Sequence, residues 1–173
     1  MKVSIIVAPK DFRDETLSQL ELLLDKKGIG YEVLSLSNGE CTGMHGATVK
    51  QKERADEFEP VYTDAVVIVD GKGIDDLRVF ENRALLDRLK VAKENKKVLG
   101  AIGNGVKVLA KANIIKNAKI AAVEDEDSKR LIGLYKGQLA NADVVASEGI
   151  VTAKDNSHML EFVDSLSEAL GVK

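Results

Sequence analysis

Residues 65–73 read Ala65-Val66-Val67-Ile68-Val69-Asp70-Gly71-Lys72-Gly73, five apolar residues that exit into a polar, glycine-containing turn. An unbroken apolar run of this length suits a strand covered on both faces, as in a parallel sheet; a strand with one wet face alternates. Helical periodicity follows at Leu85, Leu86, Leu89 and Ala92. A second apolar strand, Val98 to Ile102, then enters the turn Gly103-Asn104-Gly105 and a short helix carrying Val106, Leu109 and Ala110. Strand, turn, helix and strand in this order form parallel βαβ units.

The same alternation extends in both directions. Upstream, Val3 to Ala8 is a predicted first strand, followed by Pro9, a polar loop from Lys10 to Arg13, a helical face at Leu17, Leu20 and Leu24 ending by Gly28, and a strand from Tyr31 to Leu36. Asn38 to Pro60, rich in Gly, Thr and charge, reads as an irregular excursion at one sheet edge, with Ala47 to Val49 as a short strand. Excursions of this length are uncommon without a functional role.

Downstream, Lys119 to Val123 is a further strand candidate. The acidic run Glu124-Asp125-Glu126-Asp127 reads as the solvated start of a helix around Lys129 to Tyr135, because carboxylates oppose the positive end of the helix dipole. Asp143 to Ala146 and Ile150 to Ala153 suggest a hairpin around Glu148-Gly149. Met159, Phe162, Val163, Leu166 and Leu170 mark a closing amphipathic helix with Ser157 as its predicted N-cap. The expected architecture is a single α/β domain over residues 1–173: a three-layer sandwich with a flavodoxin-like, mostly parallel sheet and helices on both faces.

Composition narrows the functional classes. The chain has 173 residues, 25 Lys plus Arg against 28 Asp plus Glu, and a net charge of -3, so no basic excess draws it to phosphate-rich polymers. Nucleic acid is therefore not an expected partner. One Cys excludes an intrachain disulfide and a multi-cysteine metal site, and two His leave few ligands, so neither metal nor cofactor is expected. Aromatics are 4% of residues with no Trp, which leaves the core to Val, Ile, Leu and Ala. No stretch approaches the roughly 18 apolar residues of a membrane span, and the N-terminus carries no signal-peptide pattern, so a cytoplasmic protein without membrane partners is expected.

In an open parallel sheet, ligands bind outside the carboxyl ends of the strands. Three loops qualify: Pro9 to Glu15, Asp70 to Ile74 and Gly103 to Gly105. Ala101-Ile102-Gly103-Asn104-Gly105 has the form of a sharp strand-to-helix elbow, whose glycines equally suit a tight turn made for packing alone. A dinucleotide fingerprint fails because Val108 stands where its third glycine belongs, and no Gly-Lys-Ser/Thr occurs for a phosphate-binding P-loop. Backbone N–H groups at the elbow remain available to an anion.

The ordered set of motifs resembles the ThiJ/PfpI family, within the class I glutamine amidotransferase-like superfamily. The resemblance runs through Val3 to Ala8 with Glu15, Thr42-Gly43-Met44-His45-Gly46, Asp64 to Gly71 with Leu77-Arg78, Ala101 to Gly105, and Gly149-Ile150-Val151-Thr152-Ala153. It implies a pocket at the elbow, a small-molecule ligand, and a homodimer or higher homo-oligomer. Family members typically carry a nucleophilic cysteine at the position of Gly103, often followed by His at the position of Asn104. The paired glycines that help form the family pocket correspond to Asp70 and Gly71. Glu15 matches the carboxylate that contacts the cysteine, and Asp75 lies near an acidic residue that a neighbouring subunit can supply.

A glycine hydrogen or an amide cannot act as the thiolate that covalent acyl or hemithioacetal chemistry requires. The sequence therefore points to a family member without the usual nucleophile, binding a small ligand or partner at the elbow through Asp70, Gly71, Asp75, Gly103, Asn104 and Gly105. The alternative is a hydrolase or lyase of the peptidase or glyoxalase/deglycase type, with Glu15 as a base of raised pKa or Cys41 as a relocated thiol. Cys41 and His45 are four residues apart in a Gly-rich segment, a spacing that does not guarantee contact, and two ligands make an incomplete zinc site. His158 reads as a surface residue at the start of the last helix.

Overall fold

A computed structural model describes residues 1–172. The strands are β1 (Lys2–Ile6), β2 (Lys10–Phe12), β3 (Gly30–Ser35), β4 (Glu40–Gly43), β5 (Thr48–Lys50), β6 (Glu53–Arg54), β7 (Ala65–Ile68), β8 (Val98–Ile102), β9 (Lys119–Ile120), β10 (Gln138–Leu139), β11 (Val144–Ser147) and β12 (Ile150–Ala153). The helices are α1 (Asp14–Lys26), α2 (Lys72–Asp76), α3 (Arg83–Glu94), α4 (Val106–Lys111), α5 (Glu126–Leu134) and α6 (Met159–Ala169), with 3-10 turns that include Gly103–Gly105 and Asn156–His158.

Seven strands form the main sheet in the order β11-β12-β8-β7-β1-β3-β6, parallel throughout except for β11 against β12. Its centre, β3-β1-β7-β8-β12, has the flavodoxin-like order, in which the chain reverses direction across the sheet between β1 and β7. The expected α/β sandwich is thus present. β7 and β8 are buried along their whole length because each face meets a different core. On one side Ile6, Val66 and Ile68 pack with Leu85 and Leu89 of α3, Leu109 of α4 and Ile132 of α5. On the other, Val3, Ile5 and Val67 pack with Leu17, Leu20 and Leu24 of α1 and Phe162, Val163 and Leu166 of α6.

Several local expectations change. Lys10 to Phe12, expected as loop, is a strand that pairs with β4, and β4 turns back on β5, so part of the excursion is a small three-stranded sheet. Its β6 joins the main sheet beside β3. Cross-strand partners, invisible to local propensity, supply these pairings. The expected strand Lys119–Val123 stops at Ile120, because Ala121 N–H donates to Thr152 Oγ1 at 2.9 Å and Ala122 N–H to Ala142 O at 2.9 Å instead of continuing the ladder. α5 starts within the acidic run, where the Asp125 carboxylate accepts from Asp127 N–H at 3.3 Å. Ser157 is not the N-cap of α6: Asp155 caps the preceding 3-10 turn by accepting from Ser157 N–H at 2.8 Å, and His158 precedes the helix. No helix among the described residues is long and apolar enough to cross a membrane.

Candidate functional site at the elbow

The carboxyl ends of β7 and β8 project Asp70-Gly71 and Gly103-Asn104 toward each other beside the loop after β1. These residues line a cavity of about 450 Å³ together with Arg13, Met44 and Asp75. Lys72 contributes from α2; Val123 to Asp125 and Lys154-Asp155 close the remaining side. The cavity therefore sits outside the carboxyl ends of β7, β8 and β12, the side of an open parallel sheet on which ligands bind.

Backbone demands explain two of its glycines. Gly71 has φ +143°, and a Cβ there would lie 2.5 Å from Asp11 O and 2.7 Å from Arg13 N, so the two βα loops touch only because position 71 carries no side chain. Gly103 has φ +51°, and its missing Cβ would lie 3.2 Å from both Cβ and Oδ2 of Asp70. The Asp70 side chain thus stands against the space into which an elbow side chain would project. Gly105, expected in the pocket, lies outside the cavity lining and packs beneath the turn against Ile68.

Asp70 is only 5% exposed. Arg13 anchors it twice, donating its backbone N–H to Asp70 O at 2.9 Å and its Nε–H to Oδ2 at 3.0 Å. Neither Asp70 Oδ1 nor the buried Thr16 hydroxyl has a well-formed hydrogen bond. Burial pushes the Asp70 carboxyl above the ordinary aspartate range, against the opposing pull of Thr16 and Arg13.

Asn104 bridges the two turns. Its Oδ1 accepts from Gly71 N–H at 3.1 Å and its Nδ2–H donates to Gly71 O at 2.8 Å and to Asp75 Oδ2 at 3.3 Å. Gly71 N–H, which faces the elbow, is therefore already satisfied by protein. An oxyanion site requires a donor aimed at the developing charge, and this one is occupied.

Behind the cavity, Lys107 of α4 is 2% exposed and meets three carboxylates: Asp75 at 2.6 Å, Asp127 at 3.0 Å and Asp125 at 3.2 Å. Burial alone would depress its pKa, but the three aspartates outweigh that and hold it above the usual lysine value. Asp125 lies below the ordinary aspartate range despite burial, through Ser128 and Lys107; Asp127 does so through Arg130 first and Lys107 second. Asp75, expected near a partner-contributed position, here spends its oxygens within its own chain, on Asn104 and Lys107.

Glu15 lies outside the cavity lining; its Oε1 contacts His45 Nδ1 at 2.5 Å, and its Oε2 is buried without a hydrogen-bond partner. Its pKa is lowered, first by a backbone hydrogen bond and then by His45 against residual desolvation, the opposite of the rise expected for a buried base. Asp14 fastens the same loop by accepting from His45 N–H at 3.0 Å and Ala47 N–H at 2.8 Å. Cys41 and His45 do not meet: Cys41 is fully buried on the α1 side of the sheet, with its thiol 3.5 Å from Ser37 Oγ. His158 Nε2 lies 3.3 Å from Asp143 on the surface. Among the described residues, no group of three or more His, Cys, Asp or Glu side chains is arranged to hold a metal ion.

The sequence reading missed Arg13, Met44, Lys72, Val123, Glu124, Asp125, Lys154 and Asp155 on the cavity wall, and Lys107 behind it. Lys107 had a visible signal, a lone lysine within the otherwise apolar run Val106-Lys107-Val108-Leu109-Ala110. The others come together only through the fold.

Comparison with known proteins agrees with this architecture. A sequence model of the DJ-1/PfpI family matches residues 1–169. An uncharacterized protein of Methanocaldococcus jannaschii is 32% identical over 157 residues, covering 88% of this chain and 74% of that protein. The deglycase PfpI of Pyrococcus furiosus is 29% identical over 119 residues, covering 69% of this chain and 70% of that protein. Among solved structures, a ThiJ/PfpI domain protein from Brachyspira murdochii superposes with a TM-score of 0.90 at 22% identity, covering 98% of this chain and 96% of that one. DJ-1 from Toxoplasma gondii does so at 0.83 and 23% identity, covering 98% and 90%. With the flavodoxin-like strand order, the elbow after β8 and a family match from end to end, the chain belongs to the DJ-1/PfpI family.

Proposed function

We propose that this protein binds a small ligand in the elbow cavity and does not carry out thiol-dependent catalysis. The observation that carries this reading is the joint placement of Asp70 against the empty side-chain space of Gly103 and of Asn104 on the Gly71 backbone. No nucleophile projects from the elbow, and the neighbouring backbone donor is already used. What persists is a cavity of about 450 Å³, within the usual range for small-molecule sites, with charged groups on its walls and Met44 and Val123 as apolar contacts.

Its 29%-identical relatives include deglycases, which makes deglycase chemistry the alternative. That reading needs a reactive group, and neither candidate has the position for it: Cys41 is buried on another face and Glu15 is paired with His45. The proposal includes a cytoplasmic homo-oligomer, an expectation supported by family membership and checked by light scattering.

The test is a screen of neutral, anionic and cationic metabolites against the full chain, read by amide shifts at Gly71, Gly103 and Asn104. Saturable shifts confined to these amides and their neighbours are expected. A library that leaves them all unmoved overturns the binding reading.

A further inference from the structure

We infer that the face at the opposite end of β8 from the elbow docks an acidic segment of another protein, an extended chain whose carboxylates are spaced by apolar side chains. Helices α3, α4 and α5 all end here, around the start of β8. Three clefts run together on this face. Lys90, Lys93, Glu94, Asn113, Ile114 and Lys116 line the first, of about 470 Å³. The second, of about 370 Å³, shares Lys93 and adds Lys96, Lys97 and Glu148. The third, of about 400 Å³, shares Asn113 and Lys116 and adds Lys136. Lys93 and Lys116 therefore join the clefts into one track.

The charged residues of the track are six lysines and two glutamates, in a chain whose net charge is -3. None of the six makes an ion pair among the described residues, whereas Lys27, Lys72, Lys107 and Lys154 elsewhere all do. Lys93 Nζ donates to Glu148 O and Lys97 Nζ to Val61 O at 3.5 Å, backbone contacts that leave the charges unanswered. The negative ends of three helix dipoles supply about half a charge each, and with the two glutamates they still fall short of six ammonium groups.

A second observation does not depend on that balance. Lys96 and Lys136 follow α3 and α5 in the left-handed conformation, with φ +59° and +65°. At the same point after α1 and α6 stand Gly28 and Gly171, with φ +68° and +76°. A lysine there carries steric strain that glycine avoids, so this face keeps positive charge where the backbone favours glycine.

The lining selects among anionic partners. Apolar side chains sit among the lysines: Ile114 in the first cleft, Val98 in the second, and Leu134, 64% exposed, in the third. Among the described residues, no arginine lines the track to grip phosphates in pairs, and Tyr135 is its one aromatic. That suits neither the backbone nor the bases of a single-stranded nucleic acid. A bilayer, being planar, does not enter concave clefts. A peptide that alternates carboxylates with apolar side chains answers both the lysines and the apolar residues between them.

Fluorescence anisotropy of a labelled peptide of four Glu-Glu-Leu repeats, titrated with the full chain, tests this. The expected result is a Kd below about 100 μM at low salt that weakens as salt rises, with the Gln-Gln-Leu counterpart at least about tenfold weaker. Lys96→Gly/Lys136→Gly should weaken binding at least about fivefold without lowering the melting temperature, since both changes relieve backbone strain. Lys116→Gln should weaken it too, whereas Lys27→Gln, the same loss of charge on α1, should not. Equal affinity for the two peptides, no binding of the acidic one, or an affinity unchanged in the Lys96/Lys136 and Lys116 variants overturns the proposal. So does tighter binding of an oligothymidylate or of phosphatidylserine vesicles, which would assign the face to nucleic acid or to membrane. Self-association that Lys96→Gly/Lys136→Gly abolishes would assign it to a second copy of the chain and also overturns it.

Discussion

Asp70 and Gly103 compete for one space: a Cβ on Gly103 would lie 3.2 Å from Asp70 Cβ and 3.2 Å from Asp70 Oδ2. The two positions are coupled, so the chemistry of one depends on the residue at the other. A thiol placed at the elbow would face a carboxylate, and a neighbouring negative charge disfavours the thiolate.

Gly103→Cys therefore should not by itself create a reactive cysteine. It is expected to cost about 1–2 kcal/mol, because position 103 has φ +51° and an L residue there is strained. Its alkylation by iodoacetamide at pH 7 should be slow. The double variant Gly103→Cys/Asp70→Gly should react at least about tenfold faster, the equivalent of one unit of thiol pKa. Equal rates would show that Asp70 does not govern the elbow.

The raised Asp70 pKa fixes a direction for pH dependence. A carboxyl whose folded value exceeds its unfolded value contributes stability that is fully present below the unfolded value, near pH 3.8, and is lost as pH rises through the folded value. Asp70→Asn removes this contribution. Urea unfolding from pH 4 to pH 7 should show the variant gaining stability relative to the natural chain as pH rises; a constant difference would contradict the assignment.

Lys107 ties α4 to α2 and α5 through its three aspartates. Lys107→Met preserves most of the apolar volume but leaves those aspartates facing one another without the ammonium. Because they remain partly solvated, a loss of about 1–3 kcal/mol is expected, below the range for a fully buried unpaired charge. The lowered Asp125 and Asp127 values place their share of this stability above the ordinary carboxylate range, to be lost as pH falls through their folded values. The raised Lys107 value extends its share from neutral pH up past the ordinary lysine range, to be lost as pH rises through its folded value. The penalty should be flat around neutrality and shrink in acid, as chemical denaturation at several pH values would reveal.

Glu15→Gln should have almost no effect at the elbow. The Glu15–His45 pair is about half exposed on both sides, and solvent screens such pairs so that they add little to stability. The melting temperature should change little and amide shifts on ligand addition should be the same as in the natural chain. A large loss of ligand affinity would return Glu15 to the site.

The strands that carry the site were legible because their residues obey rules that act locally: β7 and β8 are unbroken apolar runs, and the glycines after them announce sharp turns. The small sheet of β2, β4 and β5 was not, since each strand is three or four residues long and exists through its partners. At the site, Asp70 and Asn104 stood out through the order of motifs. Arg13 did not, because sequence spacing could not tell which of Arg13, Asp14 and Glu15 would face the elbow. The chain resolves this by anchoring Arg13 N–H on Asp70 O and turning Asp14 and Glu15 toward the loop of His45. Lys107 shows the limit of composition: its placement in an apolar run was visible, but the aspartates that make its burial tolerable, Asp125, Asp127 and Asp75, lie 18, 20 and 32 residues away.

The most direct test of the account is methylglyoxal consumption by the natural chain and by Cys41→Ser, measured side by side with the intact mass of each protein after exposure. Both should match the protein-free blank, with no mass increment dependent on Cys41. Turnover by the natural chain that disappears in Cys41→Ser, or a covalent adduct on that cysteine, would contradict a family member that works by binding alone.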